Sequence, residues 1–171
     1  PMDGLLEIVR KQKVTIAGAE SCTGGMVSQM LTAVPGSSGY FLGAVTAYHN
    51  SAKERILGVP HAILEEHGAV SGETAAAMAE QARSLFSADA TYGITGIAGP
   101  DGGNPAAGKP VGTVWFGFAA RDRAPAALRM NFHPYTREAV RVKAANAALL
   151  LLELYLRGEE LLDIVNKWQY I

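Results

Sequence analysis

The fold is decided by Val14-Thr15-Ile16-Ala17-Gly18-Ala19, then Glu20-Ser21-Cys22-Thr23-Gly24-Gly25, then Met26-Val27-Ser28-Gln29-Met30-Leu31. Val14 to Ala19 is a compact apolar run that ends in small residues, as a buried parallel strand does. Gly24 and Gly25 follow, and Met26, Val27, Met30 and Leu31 then recur at helical spacing. Strand, tight turn and helix in that order open an α/β unit. They place Ser21 at the carboxyl end of a strand, where open α/β sheets receive ligands.

The same grammar extends in both directions. Upstream, Leu5, Leu6, Ile8 and Val9 give Met2 to Gln12 the pattern of a short amphipathic helix. Downstream, Pro35 to Gly39 is a loop by composition, and Phe41 to Tyr48 is a second strand. Ser51 to Leu57 reads as a short helix closed by Gly58 and Pro60, with another from His61 to His67 ended by Gly68. Ser71 reads as an N-cap with Glu73 in the first turn, opening a helix through Ala75, Met78, Ala82 and Leu85.

Ala90 to Ile97 is a third strand, followed by a loop rich in glycine and proline from Ala98 to Pro110. Val111 to Ala120 and Ala126 to His133 are joined by Arg121-Asp122-Arg123, a connection so short that the pair must run antiparallel. Thr136 to Arg157 forms one long helix capped by Gly158. Beyond it a tail, Glu159 to Ile171, carries Trp168 and Tyr170 and packs on the body or on a partner. This order predicts one α/β domain over residues 1–171, with a core at about 5–157 and a tail at 158–171. Its sheet is mixed and mostly parallel, with a C-terminal β-hairpin and long helix.

Composition removes several functional classes. Of 171 residues, 49% are hydrophobic and 18% charged, a globular balance. Fifteen basic and sixteen acidic residues leave a net charge of −1, without the basic excess that phosphate neutralisation requires, so no nucleic-acid partner is expected. The single cysteine, Cys22, forms no intrachain disulfide, and His49, His61, His67 and His133 have no metal-ligand spacing, so no metal or cofactor is expected. Glu7, Arg10 and Lys11 interrupt the first apolar residues, so no secretory signal is predicted. The most apolar stretch, Ala144 to Leu152, is far shorter than the ~20 residues that span a bilayer. A soluble, cytoplasmic protein without a membrane partner is the expectation.

Four segments carry residues suited to chemistry. At Ala19 to Gly25, Ser21 opens a helix whose first N–H groups can bind an oxyanion or a phosphate; alternatively Ser21 only caps that helix. Cys22 is a rival nucleophile there, or a small apolar residue turned inward. In Tyr48-His49-Asn50-Ser51-Ala52-Lys53, a neutral Lys53 could take a serine proton and Tyr48 could relay it or hydrogen-bond the lysine; the plain alternative is a surface lysine beside Glu54 and Arg55. Thr95-Gly96-Ile97-Ala98-Gly99-Pro100 begins a loop that frames a pocket or merely connects strands. Arg137 and Arg141, four apart on the last helix, suit a phosphate or pair with acids such as Glu138.

Taken together, AESCTGG (19–25), PGSSGYFLGAVTAYHNSAKERILGV (35–59), GAVSGETA (68–75), TGIAGPDGG (95–103) and KPVGTVWFGF (109–118) resemble the CinA C-terminal-domain family. The resemblance runs in register from about Leu5 to Leu156. It implies a three-layer α/β/α sandwich and a metal-independent amidase that converts nicotinamide mononucleotide to nicotinate mononucleotide and ammonia, a salvage step for pyridine nucleotides. It places the family's catalytic serine, tyrosine and lysine on Ser21, Tyr48 and Lys53. Backbone groups of Cys22, Thr23, Gly24 and Gly25 would face the oxyanion. Ser37 and Ser38, the loop at Thr95, Gly96 and Gly99, and Arg137 or Arg141 would receive the phosphate.

The segment before the last helix, Pro134-Tyr135-Thr136-Arg137, departs from the Gly-Asp-Arg turn common in the family and leaves the choice of arginine open. Two other functions stay in view: a nucleotide-binding module without turnover, linked to competence or DNA damage, and an amidase for another carboxamide. Leu149, Leu150 and Leu152 on the last helix suit a homodimer or higher homo-oligomer, or equally the core.

Overall fold

The computed structural model of the protein describes residues 2–163. Its centre is β1 (Ile16–Glu20), buried at every position, as the short apolar run requires. β1 pairs in parallel with β2 (Phe41–Thr46) on one side and with β3 (Ala90–Gly96) on the other. β4 (Thr113–Ala120) pairs antiparallel with β3, and β5 (Arg123–Asn131) antiparallel with β4, giving the order β2-β1-β3-β4-β5. Four of the five strands therefore point the same way, and only β4 opposes them.

The hairpin is tighter than its charged residues suggested. Arg123 already pairs across from Ala120, and its guanidinium lies over the Tyr155 ring at 4.8 Å from the centroid. The charge is thus spent on an aromatic face and the turn shrinks to Arg121-Asp122. Pro125 is tolerated because β5 is an edge strand, where a missing N–H leaves no ladder bond unmade.

Helices cover both faces. α1 (Met2–Gln12), α2 (Met26–Thr32) and α6 (Arg137–Leu156) lie on one, and α4 (His61–His67) and α5 (Gly72–Phe86) on the other. The first layer closes a core of Leu5, Val27, Leu31, Val140, Leu149 and Leu152 against Ile16, Ile94, Phe116 and Phe118. Leu149 and Leu152 are fully buried within this chain, so that part of the last helix is core. The smaller core under α5 joins Ala19, Ala47, Leu57, Met78 and Ala82.

Two glycines set how closely α5 can approach. Gly93 and Gly117 face each other across β3 and β4, and a Cβ on either would lie 2.5 Å or 2.1 Å from the Ala75 carbonyl oxygen. α5 is capped as the sequence predicts, with the Thr74 N–H donating to Ser71 Oγ at 3.1 Å. Among the described residues no helix is long and apolar enough to cross a membrane. Trp168 and Tyr170 lie outside the described residues.

Candidate active site

β1 sends its chain through α2 to β2 on one side, while β3 on its other side leads on to β4. The connections part company at the carboxyl end of β1, a topological switch point of the kind where ligands enter open sheets. Ser21 stands there directly after Glu20, its N–H donating to the Ile94 carbonyl of β3 at 3.0 Å. On the other side the Ala47 N–H donates to the Glu20 carbonyl at 2.8 Å, which keeps the ends of β1 and β2 in step.

Past β2 the chain turns at His49, whose side chain caps α3 (Asn50–Ala52) by accepting from the Ser51 N–H. α3 then widens into a single π turn, Lys53–Leu57, ended by Gly58 at φ 90°. Single π turns often mark functional positions, because they redirect one side chain without ending the helix. Here that side chain is Lys53. It is 2% exposed, and its Nζ donates to Ser21 Oγ at 3.1 Å and to the Tyr48 carbonyl at 3.0 Å. Among the described residues no carboxylate pairs with it. Burial pushes its pKa below the ordinary lysine value, against a smaller opposing pull from Cys22.

Cys22 is buried as well. Desolvation raises its thiol to about 12, against weaker help from its own backbone N–H and from Lys53. A thiol so held is not ionised near neutral pH, and it is Ser21, not Cys22, whose side chain meets the Lys53 amine, so Ser21 is the better nucleophile on geometry.

Tyr48 does not offer its hydroxyl to Lys53. Its side chain is 60% exposed, and its hydroxyl accepts from Arg137 Nη2 at 3.1 Å. What meets Lys53 is its main-chain carbonyl. The reason is local: Tyr48 follows the end of β2, where the ladder has stopped and the ring turns outward while the carbonyl faces the turn.

A cavity of about 210 Å³ opens over the serine. Ser21, Cys22, Lys53, Thr95, Gly96 and Arg137 contribute to its lining, and Tyr48, Asn50, Ala69, Val70 and Ala98 complete it. Thr95 Oγ1 donates to the Ala69 carbonyl at 2.6 Å, tying the end of β3 to the turn before α5 and so fixing one wall. Arg137 spans the mouth, donating to the Gly99 carbonyl at 2.7 Å as well as to Tyr48. Asn50 and Ala98 come with the segments 48–53 and 95–100, whereas Ala69 and Val70 were not singled out from sequence because they reach the cavity through tertiary packing.

Other expected residues stand elsewhere. Ser37 and Ser38 form a 3₁₀ turn just before β2 begins. Because β1 and β2 are parallel, the turn that leads directly into β2 lies at the opposite end of the sheet from the turn that leaves β1, so neither serine reaches the cavity. Thr23 is buried and its hydroxyl donates to Glu20 at 2.7 Å. Gly24 and Gly25, at φ 61° and 100°, shape the turn without lining the cavity. Gly99 supplies the carbonyl that holds Arg137. Arg141 lies behind the serine turn.

Sequence reasoning passed over Glu20. It is wholly buried, with one carboxylate oxygen accepting from Thr23 Oγ1 and the Val27 N–H and the other from the Ser28 N–H and Ser28 Oγ. These are the first donors of α2, so the anion site of that helix is filled from within the chain. A substrate phosphate cannot use it. Within the turn, the Gly24 N–H is taken by the Ser21 carbonyl, whereas the N–H groups of Cys22, Thr23 and Gly25 meet no carbonyl among the described residues. Among the described residues no group of three or more His, Cys, Asp or Glu side chains is placed to hold a metal ion.

The model of the CinA C-terminal domain matches residues 2–156. The chain belongs to the CinA family. A "Putative competence-damage inducible protein" of Desulforudis audaxviator is 46% identical over 154 residues, which is 90% of this chain and 36% of that protein. A "CinA-like protein" of Geobacter sulfurreducens is 46% identical over 142 residues, 83% of this chain and 33% of its own. The CinA domain described here thus spans about a third of those relatives. Among solved structures, a CinA superfamily protein of Klebsiella pneumoniae superposes with a TM-score of 0.84 at 31% identity, covering 91% of this chain and 94% of that one. A competence/damage inducible protein of Agrobacterium tumefaciens gives 0.80 at 35% identity, with 90% and 96% covered.

Proposed function

We propose that this CinA domain is a serine–lysine amidase that hydrolyses the carboxamide of nicotinamide mononucleotide to nicotinate mononucleotide and ammonia. The observation that carries the reading is the contact of 3.1 Å between Lys53 Nζ and Ser21 Oγ, made by a lysine that is buried and has no paired carboxylate among the described residues. A lysine in that setting is readily neutral, and a neutral amine is a base. One of its hydrogens stays on the Tyr48 carbonyl, which leaves the lone pair facing the serine hydroxyl.

Ser21 Oγ attacks the carboxamide carbon and Lys53 takes the hydroxyl proton. The tetrahedral oxyanion is met by N–H groups of the turn after Ser21. Lys53 returns the proton to the departing nitrogen, ammonia leaves, and an ester on Ser21 remains. Water attacks that ester, Lys53 accepts the water's proton and passes it back to Ser21, and the acid is released. The pyridinium of the substrate favours this course twice, by drawing electrons from the carboxamide carbon and by keeping Lys53 unprotonated. At about 210 Å³ the cavity has room for the ring. The exposed Arg137 guanidinium at its mouth is where a phosphate outside the cavity would meet a cation.

The test is release of ammonia and nicotinate mononucleotide by wild type, Ser21→Ala, Lys53→Met and Cys22→Ala in the presence of EDTA. Wild type and Cys22→Ala should turn over, while the other two fall by at least about a thousandfold. Turnover retained in Ser21→Ala, or abolished in a folded Cys22→Ala, would move the nucleophile to another residue. Turnover of a different carboxamide alone would keep the mechanism and change the substrate.

A further inference from the structure

Arg141 touches no part of the cavity, yet it is aimed at the nucleophile turn. Its Nε donates to the Cys22 carbonyl at 3.1 Å and its Nη2 to the Thr23 carbonyl at 3.3 Å. Among the described residues it forms no ion pair. The turn is pressed close against it: a Cβ on Gly24 would come within 3.2 Å of Arg141 Nη2.

In a trans peptide the carbonyl and the following N–H point in opposite directions. A guanidinium holding the Cys22 carbonyl therefore turns the Thr23 N–H away from α6, and one holding the Thr23 carbonyl turns the Gly24 N–H the same way. The Gly24 N–H ends on the carbonyl of Ser21 itself, at 3.0 Å. The Thr23 N–H, turned to that same side, meets no carbonyl among the described residues. It is a donor facing the serine side of the turn, with no acceptor among the described residues.

We propose that Arg141 is a positioning residue that locks the peptide planes after Ser21, so that the Thr23 N–H, with that of Cys22, is held ready for the oxyanion. The inference rests on the amidase reading of Ser21. It assigns the two arginines different tasks. Arg137 lines the cavity mouth, whereas Arg141, one helical turn further on, reaches past the cavity to the carbonyls behind the serine. A fork of two donors spaced for neighbouring carbonyls is a feature of arginine that lysine reproduces only in part.

The experiment compares Arg141→Ala, Arg141→Gln and Arg141→Lys with wild type in two assays. The first is steady-state hydrolysis of nicotinamide mononucleotide. Since losing one oxyanion donor lowers kcat by about 10²–10³, Arg141→Ala should lose about a hundredfold in kcat with KM within about twofold. Arg141→Lys should regain about tenfold of that loss by satisfying one carbonyl.

The second assay follows the rate at which a small alkyl fluorophosphonate modifies Ser21. In that step the Ser21 Oγ–phosphorus bond forms, the phosphorus–fluorine bond breaks, fluoride leaves and the hydroxyl proton passes to Lys53. The phosphoryl oxygen develops charge where the oxyanion would sit, so labelling should slow in parallel with kcat. This second assay needs no nicotinamide nucleotide. Labelled wild type without nucleotide turnover would retire the substrate while still measuring Arg141. A raised KM at unchanged kcat in Arg141→Ala would make Arg141 a substrate ligand, and an unchanged labelling rate would show that the turn does not depend on it. Either result overturns the proposal. Where Arg141→Ala does not fold, the lysine and glutamine variants carry the comparison.

Discussion

Replacing Glu20 by glutamine should destabilise the fold by about 1–3 kcal/mol, and the structure shows why the figure is neither zero nor larger. One carboxylate oxygen accepts from Thr23 Oγ1 and the Val27 N–H, and the other from the Ser28 N–H and Ser28 Oγ. Glutamine keeps one oxygen, which can preserve the first pair. At the second, Ser28 Oγ can rotate to accept from the new amide, but the Ser28 N–H cannot reverse. One backbone donor at the start of α2 is left facing another donor, which is the penalty of a single unsatisfied polar group. Glu20→Ala removes both acceptors, strands two backbone donors and opens a cavity, for roughly 3–5 kcal/mol. Urea unfolding followed by tryptophan fluorescence measures both. At roughly 2 kcal/mol per molar, the glutamine variant should unfold about 0.5–1.5 M earlier than wild type and the alanine variant earlier still. A glutamine variant with the wild-type midpoint would refute the view that this buried carboxylate caps α2.

Three further outcomes follow from the structure. Burial lowers the folded-state pKa of Lys53, so activity in nicotinamide mononucleotide hydrolysis should rise with pH and level off below the ordinary lysine value of about 10.4. A plateau only above that value would show a charged resting lysine. The same shift bears on stability. The unfolded chain keeps the proton up to about pH 10.4 and the folded chain releases it sooner, so between the two pKa values the unfolded state binds more protons and stability rises with pH. Lys53→Met should flatten that rise in urea midpoints measured across neutral and alkaline pH, and an undiminished slope would assign it to another group. Gly117→Ala should destabilise by about 1–3 kcal/mol, because its Cβ would sit 2.1 Å from the Ala75 carbonyl oxygen and must push α5 off the sheet. A midpoint equal to wild type would show that α5 can yield freely.

Much of the molecule is written in local pattern, and the reason is that local pattern is set by steric and capping terms acting within a few residues. The buried run of β1, the glycine turn after Ser21, the Ser71 cap on α5 and the single long helix from Arg137 to Leu156 all stand where the sequence places them, and the hairpin after β4 forms too, though β5 begins at Arg123 rather than Ala126. So does the position of Ser21 at a strand end, since strand, turn and helix follow each other without interruption. Strand ends were less exact: β2 stops at Thr46 and β4 starts at Thr113, where the ladder partners run out.

Apart from the β4–β5 hairpin, what sequence left open was what depends on which strands lie side by side. Parallel pairing of β1 with β2 brings Lys53 from 32 residues away to the serine, and the same pairing sends Ser37 and Ser38 to the far end of the sheet. The outward ring of Tyr48, the filling of the α2 terminus by Glu20, and the burial of Leu149 and Leu152 as core are settled by neighbours from distant segments. Arg137 and Arg141 share one helix face in the sequence, but one turn of rise separates their reach. In the folded chain one guanidinium meets the cavity mouth and the other the carbonyls behind Ser21. Short-range sterics fix what each segment is, while charges, hydrogen bonds and close packing between remote segments fix what each side chain can do.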